Sequence, residues 1–115
     1  MKNRVFIIHE PARWDASKKR MVPFDLSSVD DYGERVVIFP GGNRPPPWAE
    51  AGPRLLETMT QFKETDFLVI AGDIDFLVWA SVLALRATNG KLKLLRWNNR
   101  STRYDISTAP PELWN

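Results

Sequence analysis

An α/β fold in a single domain spanning residues 1–115 is what this sequence predicts. The fold is a single small mixed sheet of about five strands, mainly parallel with a C-terminal antiparallel hairpin, packed by two main helices. Three observations carry that expectation. Short runs of β-branched and aromatic residues recur at 4–8, 35–39 and 67–71, each closing on proline or glycine. Segments with apolar residues at helical spacing follow the second and third runs. Two last strand-like segments, the largely apolar 92–97 and the returning 102–107, flank the turn-forming residues Asn98, Asn99, Arg100 and Ser101.

The first run, Arg-Val-Phe-Ile-Ile, is continuously apolar after Arg4 and stops at Glu10 and Pro11. Continuity rather than alternation marks a strand buried on both faces, as in sheets covered by helices. Beyond it, Lys18, Lys19 and Arg20 form a charge run that reads as a solvated turn. Ser27 followed by Asp30 has the spacing of a capping box, and Gly33 can close the turn, so a short helix is expected near 28–32.

The second strand, 35–39, ends at Pro40, Gly41 and Gly42. Pro45, Pro46 and Pro47 remove successive backbone donors, so residues 43–48 should be an extended, polyproline-like loop. A helix follows by Pro53, a residue suited to a first helical turn. Leu55, Leu56, Met59 and Phe62 then recur on one side, with Arg54, Glu57, Gln61 and Glu64 on the wet side.

After the third strand, Gly72 and Asp73 turn the chain directly into a helix that Asp73 can cap. Residues 74–88 are apolar nearly all round, which predicts burial on more than one side. Asn89 and Gly90 end the helix. The final two strands make the hairpin. The strand–crossover order implies parallel pairing for the early strands through right-handed connections, with the last strand antiparallel at an edge.

Composition narrows the function. The 115 residues include no cysteine and one histidine. Disulfides, thiolate nucleophiles, cysteine zinc sites and mechanisms needing two imidazoles are thereby excluded, and a reducing compartment fits. The apolar run after Arg4 is too short for a signal-peptide core, and nothing approaches a membrane span. A cytoplasmic protein with no membrane partner is expected. The net charge of +2 is too small to name an acidic partner, so local clusters matter more.

Residues 66–73 (Asp-Phe-Leu-Val-Ile-Ala-Gly-Asp), the apolar helix, residues 89–97 (Asn-Gly-Lys-Leu-Lys-Leu-Leu-Arg-Trp) and Tyr104 resemble small α/β proteins encoded by tailed bacteriophages and prophages. In that group a strand ending in Gly-Asp opens a helix, and Asn-Gly leads into a Lys-Leu-Leu-Lys/Arg-Trp strand. The stretch from Asp25, Leu26 and Ser27 to Tyr32, Gly33 and Glu34 is similar too. The resemblance covers most of the chain from about residue 24. It departs at residues 44–48, whose triple proline is not part of the pattern. It implies a phage origin, with the host cytoplasm as location, and brings no catalytic residues with it.

Three surfaces could carry function. Ligands of open α/β sheets bind beyond the carboxyl ends of the parallel strands. That edge gathers His9, Gly41, Gly42, Asn43 and Arg44, where glycine turns expose backbone donors and an arginine could complete an anion or nucleotide site. Against this, the glycines match no nucleotide fingerprint, and Asp73 and Asp75 would repel a phosphate. The hairpin offers Lys91, Lys93, Arg96, Arg100 and Arg103 interleaved with Trp97 and Tyr104, a pattern for neutralising phosphates and stacking bases. Basic residues also guard sheet edges, and alternation makes neither face uniformly basic. Finally, five tryptophans are many for this length. Trp14 and Trp48 lie in irregular, proline-flanked segments, where they could anchor an interface or pin their loops.

The leading expectation is a phage accessory protein that binds a host or phage protein, or a second copy of itself, without catalysis. Nucleic-acid binding through the hairpin and anion binding at the strand ends are the alternatives. No catalytic residue, metal ligand or cofactor is assigned.

Overall fold

The structure, a computed structural model, describes residues 3–10, 12–23, 27–40 and 46–114. Its core is a five-stranded sheet built from β1 (Arg4–His9), β4 (Glu34–Phe39), β5 (Phe67–Val69), β6 (Lys93–Asn98) and β7 (Arg103–Thr108). The order is β4-β1-β5-β6-β7. β1 pairs in parallel with both β4 and β5, and β5 with β6; only β7 is antiparallel, on β6. This is the mixed sheet that the sequence predicts.

β1 lies inside the sheet and its residues alternate between two apolar clusters, as strand geometry requires. Phe6 and Ile8 join Leu68, Ile38 and the inner residues of both helices, α1 (Trp48–Met59) and α2 (Ile74–Ala87). Val5 and Ile7 join Val29, Phe67, Val69, Leu95 and Tyr104 on the other face. That second face is covered by a 3-10 turn, Ser27–Asp31, whose Val29 is fully buried, and by Tyr32, whose hydroxyl donates to the Tyr104 carbonyl at 3.2 Å. The short helix expected near 28–32 is this 3-10 turn.

β1 is held at its start by a buried carboxylate. Asp66 accepts from the Arg4 backbone N–H (3.2 Å), from Arg4 Nε (3.2 Å) and Nη2 (2.8 Å), and from the Lys63 N–H (2.8 Å). At the opposite end, Gly72 has φ +96°, and a Cβ there would stand 2.4 Å from the His9 carbonyl oxygen. Only glycine combines that backbone conformation with that approach.

Lys18 and Lys19 of the charge run lie in a turn, while Arg20 already belongs to a strand, and the strands beside the turn are not apparent in the sequence. β2 (Ala12–Asp15) and β3 (Arg20–Pro23) form a separate antiparallel ribbon. Asp15 Oδ1 shapes its turn by accepting from Ser17 N–H, Ser17 Oγ and Lys18 N–H. An aspartate folding onto its own following backbone is a turn device that hydrophobic patterning does not register.

Two helix expectations need correction. α1 begins at Trp48, so Pro53 lies inside it rather than in its first turn. Pro47 starts the helix instead: it is extended (φ −52°, ψ 152°), and its carbonyl accepts from the N–H groups of Glu50 and Ala51 at 2.9 Å each. Pro53 deprives the Ala49 carbonyl of its helical donor, a loss that water can offset because Ala49 is exposed. Phe62 falls beyond the helix end yet is buried, its ring 5.0 Å from that of Phe6.

The second correction concerns α2. Its ends are as predicted: Asp73 Oδ1 accepts from the Phe76 N–H at 3.3 Å, and Gly90 N–H returns to the Leu85 carbonyl at 2.8 Å. Its burial is not. Phe76, Ala80 and Ala84 are buried, with Leu77, Leu83 and Leu85 partly so. Ile74, Val78, Trp79 and Val82 are 75%, 49%, 50% and 47% exposed. Small alanines at i+4 spacing let the helix seat closely on the sheet, with α1 beside it on the same face. Nothing in the described chain covers the far side.

Candidate functional site

Among the described residues, the bare side of α2 brings several of the exposed large apolar side chains onto one helix. On a helix of 3.6 residues per turn, Ile74, Val78 and Val82 fall in one exposed row, with Trp79 beside it; Leu85 continues the row but is partly packed against the core. The packed row, Phe76, Ala80 and Ala84, runs along the opposite side. One helix therefore presents two apolar rows, of which the sheet uses one. Single exposed apolar residues are ordinary, whereas a contiguous row is characteristic of a contact surface.

Trp48 enlarges this surface. It opens α1 and is 52% exposed, with its ring centroid 5.6 Å from Phe76 and 6.4 Å from Trp79. Its placement depends on Gly52, one turn on: a Cβ there would approach the Trp48 indole to 2.9 Å. Glycine inside a helix costs about 1 kcal/mol relative to alanine, and here it leaves room for the indole. The patch thus runs from the start of α1 across the outer side of α2. Its charges are sparse, with exposed Asp75 near one end of α2 and exposed Arg86 near the other.

Among the residues singled out by sequence, Trp48 belongs to this patch. Trp14 lies in β2 opposite Met21, and its side chain is outside the described residues. At the strand ends, His9 closes β1 opposite Phe39 and packs against Gly72. Gly41, Gly42, Asn43 and Arg44 lie outside the described residues, so the anion-site constellation is seen only at His9.

The hairpin residues divide into three groups. Lys91 pairs with Glu64 at 3.4 Å, and Lys93 Nζ sits 4.2 Å from the Phe67 ring centroid; both lie where β6 begins. Arg96, Arg100 and Arg103 are exposed; Arg96 lies about 10 Å further along β6, and Arg100 and Arg103 sit at or beside the turn, about 17 Å or more away. Trp97 and Tyr104 face each other across the strands, edge to face at 5.2 Å, and Tyr104 is buried. Neighbouring strand residues point to opposite faces, so the aromatic pair lies on the face opposite Arg96 and Arg103. Arg96 stands across from Asp105, which also accepts from Asn98 Nδ2 at 2.8 Å. The arrangement brings three arginines to one end but separates them from the aromatic faces.

Among the described residues, no three His, Asp or Glu side chains are grouped to hold a metal ion, and no helix is long and apolar enough to cross a membrane. The residues that sequence reasoning missed are Ile74, Val78, Trp79 and Val82. Their signal was present as an apolar residue at nearly every helix position, an excess over what one buried row requires.

Fold and surface together define a small α/β protein with both helices on one sheet face and an apolar helix flank left bare. The chain belongs to the phage Pam3 gp32-like protein family, whose model matches residues 3–109, and the phage resemblance seen in the sequence is thereby shown. No curated protein matches the chain significantly, and no solved structure does.

Proposed function

We propose that this phage protein works in the host cytoplasm by binding another protein, without catalysis of its own, through the outer side of α2 together with Trp48. One observation carries the reading: the contiguous row Ile74, Val78 and Val82, flanked by Trp79 and Trp48, all close to half exposed or more. Covering apolar surface gains about 25 cal/mol per Å², and tryptophans near the middle of a contact contribute most. The chemistry favours a protein over the other partners. A membrane-surface helix would carry lysines and arginines along its polar side, and a nucleic-acid surface needs clustered cations. This patch carries one acid and one base.

The test places a photo-crosslinking residue at position 78, with position 103 on the hairpin as comparison, in the full chain during infection. Protein adducts at 78 that disappear when Trp79 is changed to Ala are expected. Absence of protein adducts at 78, or nucleic-acid adducts at 103 in their place, would overturn the reading.

A further inference from the structure

We infer that the protein covering the outer side of α2 is a second copy of this chain, with the two α2 helices packed antiparallel about a two-fold axis near residue 80. The inference rests on that side being a docking surface and goes further by naming its occupant. It comes from how charge and apolar residues are arranged along the helix.

Ile74, Val78, Val82 and Leu85 occupy an arc of about 80° at 100° per residue. Asp75 and Arg86 both flank this row on the same side, about 20° apart around the axis. They stand near opposite ends of the helix, Asp75 in the first turn and Arg86 in the last, and both are exposed. A two-fold axis perpendicular to the helix keeps each residue on its own flank while reversing its position along the axis. Asp75 of one copy therefore meets Arg86 of the other, and the reverse pair forms at the far end. Between them Val78 of one copy faces Val82 of the other, and the two Trp79 side chains lie on the ion-pair flank.

A two-fold interface must be complementary to itself, and this row meets that requirement twice, in its apolar centre and at its charged ends. A parallel two-fold pair would move these charges to opposite flanks of the two copies and leave both ion pairs unmade, so only the antiparallel arrangement uses them. An unrelated partner places no requirement on the matched spacing of acid and base about the midpoint, whereas a second copy pairs them at both ends. Each charge also suits its own helix end, but that role alone has no bearing on how many chains associate.

The experiment is sedimentation of the purified full chain across the micromolar range, with charge-exchange variants. The wild type is expected to be a dimer. Asp75→Arg alone and Arg86→Asp alone each create two like-charge contacts and should weaken the dimer by about tenfold or more. An equimolar mixture of the two variants should form a heterodimer, because each supplies the charge the other lacks. The double variant D75R/R86D should again form a homodimer. Both positions are exposed, so folding is not at stake, and circular dichroism checks it. A wild-type monomer throughout, or a dimer indifferent to both single exchanges, or losses that neither mixture nor double exchange restores, would overturn the inference. A monomer that still gives adducts at position 78 with a different protein overturns the second copy alone and leaves the docking surface standing.

Discussion

Asp66 and Gly72 hold opposite ends of the sheet by different physics, and each gives a measurable expectation. Asp66 is 2% exposed and gathers three donors from Arg4 and one from Lys63. Asp66→Ala removes all four of these hydrogen bonds, two of them from the charged Arg4 guanidinium, and should cost about 2–3 kcal/mol in denaturant unfolding; a loss below the measurement error would contradict the assignment. Gly72→Ala forces a side chain into a left-handed backbone and against the His9 carbonyl, and should lower stability by more than 1 kcal/mol. Gly52 differs, because the group it would meet is the movable Trp48 indole. Gly52→Ala gains helix propensity while displacing that ring, so it should shift the Trp48 indole N–H resonance with little loss of stability. An unmoved resonance would contradict the packing. The sequence marks Gly72 through its place after a strand, but the crowding at Gly52 depends on where a tryptophan one turn away comes to rest.

At the scale of elements, the parallel strands and the hairpin were legible because their signals are local: apolar runs, prolines, and the turn residues at 98–101. α2 was legible in type, ends and cap. Its orientation was not, since Ile74, Val78 and Val82 look as suitable for burial as Phe76, Ala80 and Ala84. The choice is made by packing, where small Ala80 and Ala84 admit close approach to the sheet. This distinction has a thermodynamic consequence. Phe76→Ala should cost about 3 kcal/mol through the lost core contacts, whereas Val82→Ser should stay within about 0.5 kcal/mol when unfolding is followed on the dissociated chain at nanomolar concentration. Equal losses at both positions would mean that the outer row is packed in the isolated chain. The β2–β3 ribbon was missed because an Asp15-centred turn fixes it. The start of α1 was misplaced because Pro47 and Pro53 are equally good first-turn prolines by sequence alone.

The whole molecule is asymmetric in how its sheet is covered. Two helices share one face, while a 3-10 turn and Tyr32 serve the other, and the cost of that economy is a helix side that, among the described residues, only Trp48 touches, at Trp79. The sequence located functional chemistry at the hairpin and strand ends because charge and glycine are conspicuous there. The apolar row escaped notice because a core helix and a docking helix have the same composition. Radical footprinting compares the two surfaces in one measurement, with the protein labelled in infected cells and again as the isolated chain at nanomolar concentration. Protection of Trp48 and Trp79 in the cell, with Trp97 labelled equally in both, is the result expected. Labelling of Trp48 and Trp79 at the same rate in both states, with protection confined to Trp97 and the hairpin, would contradict the account.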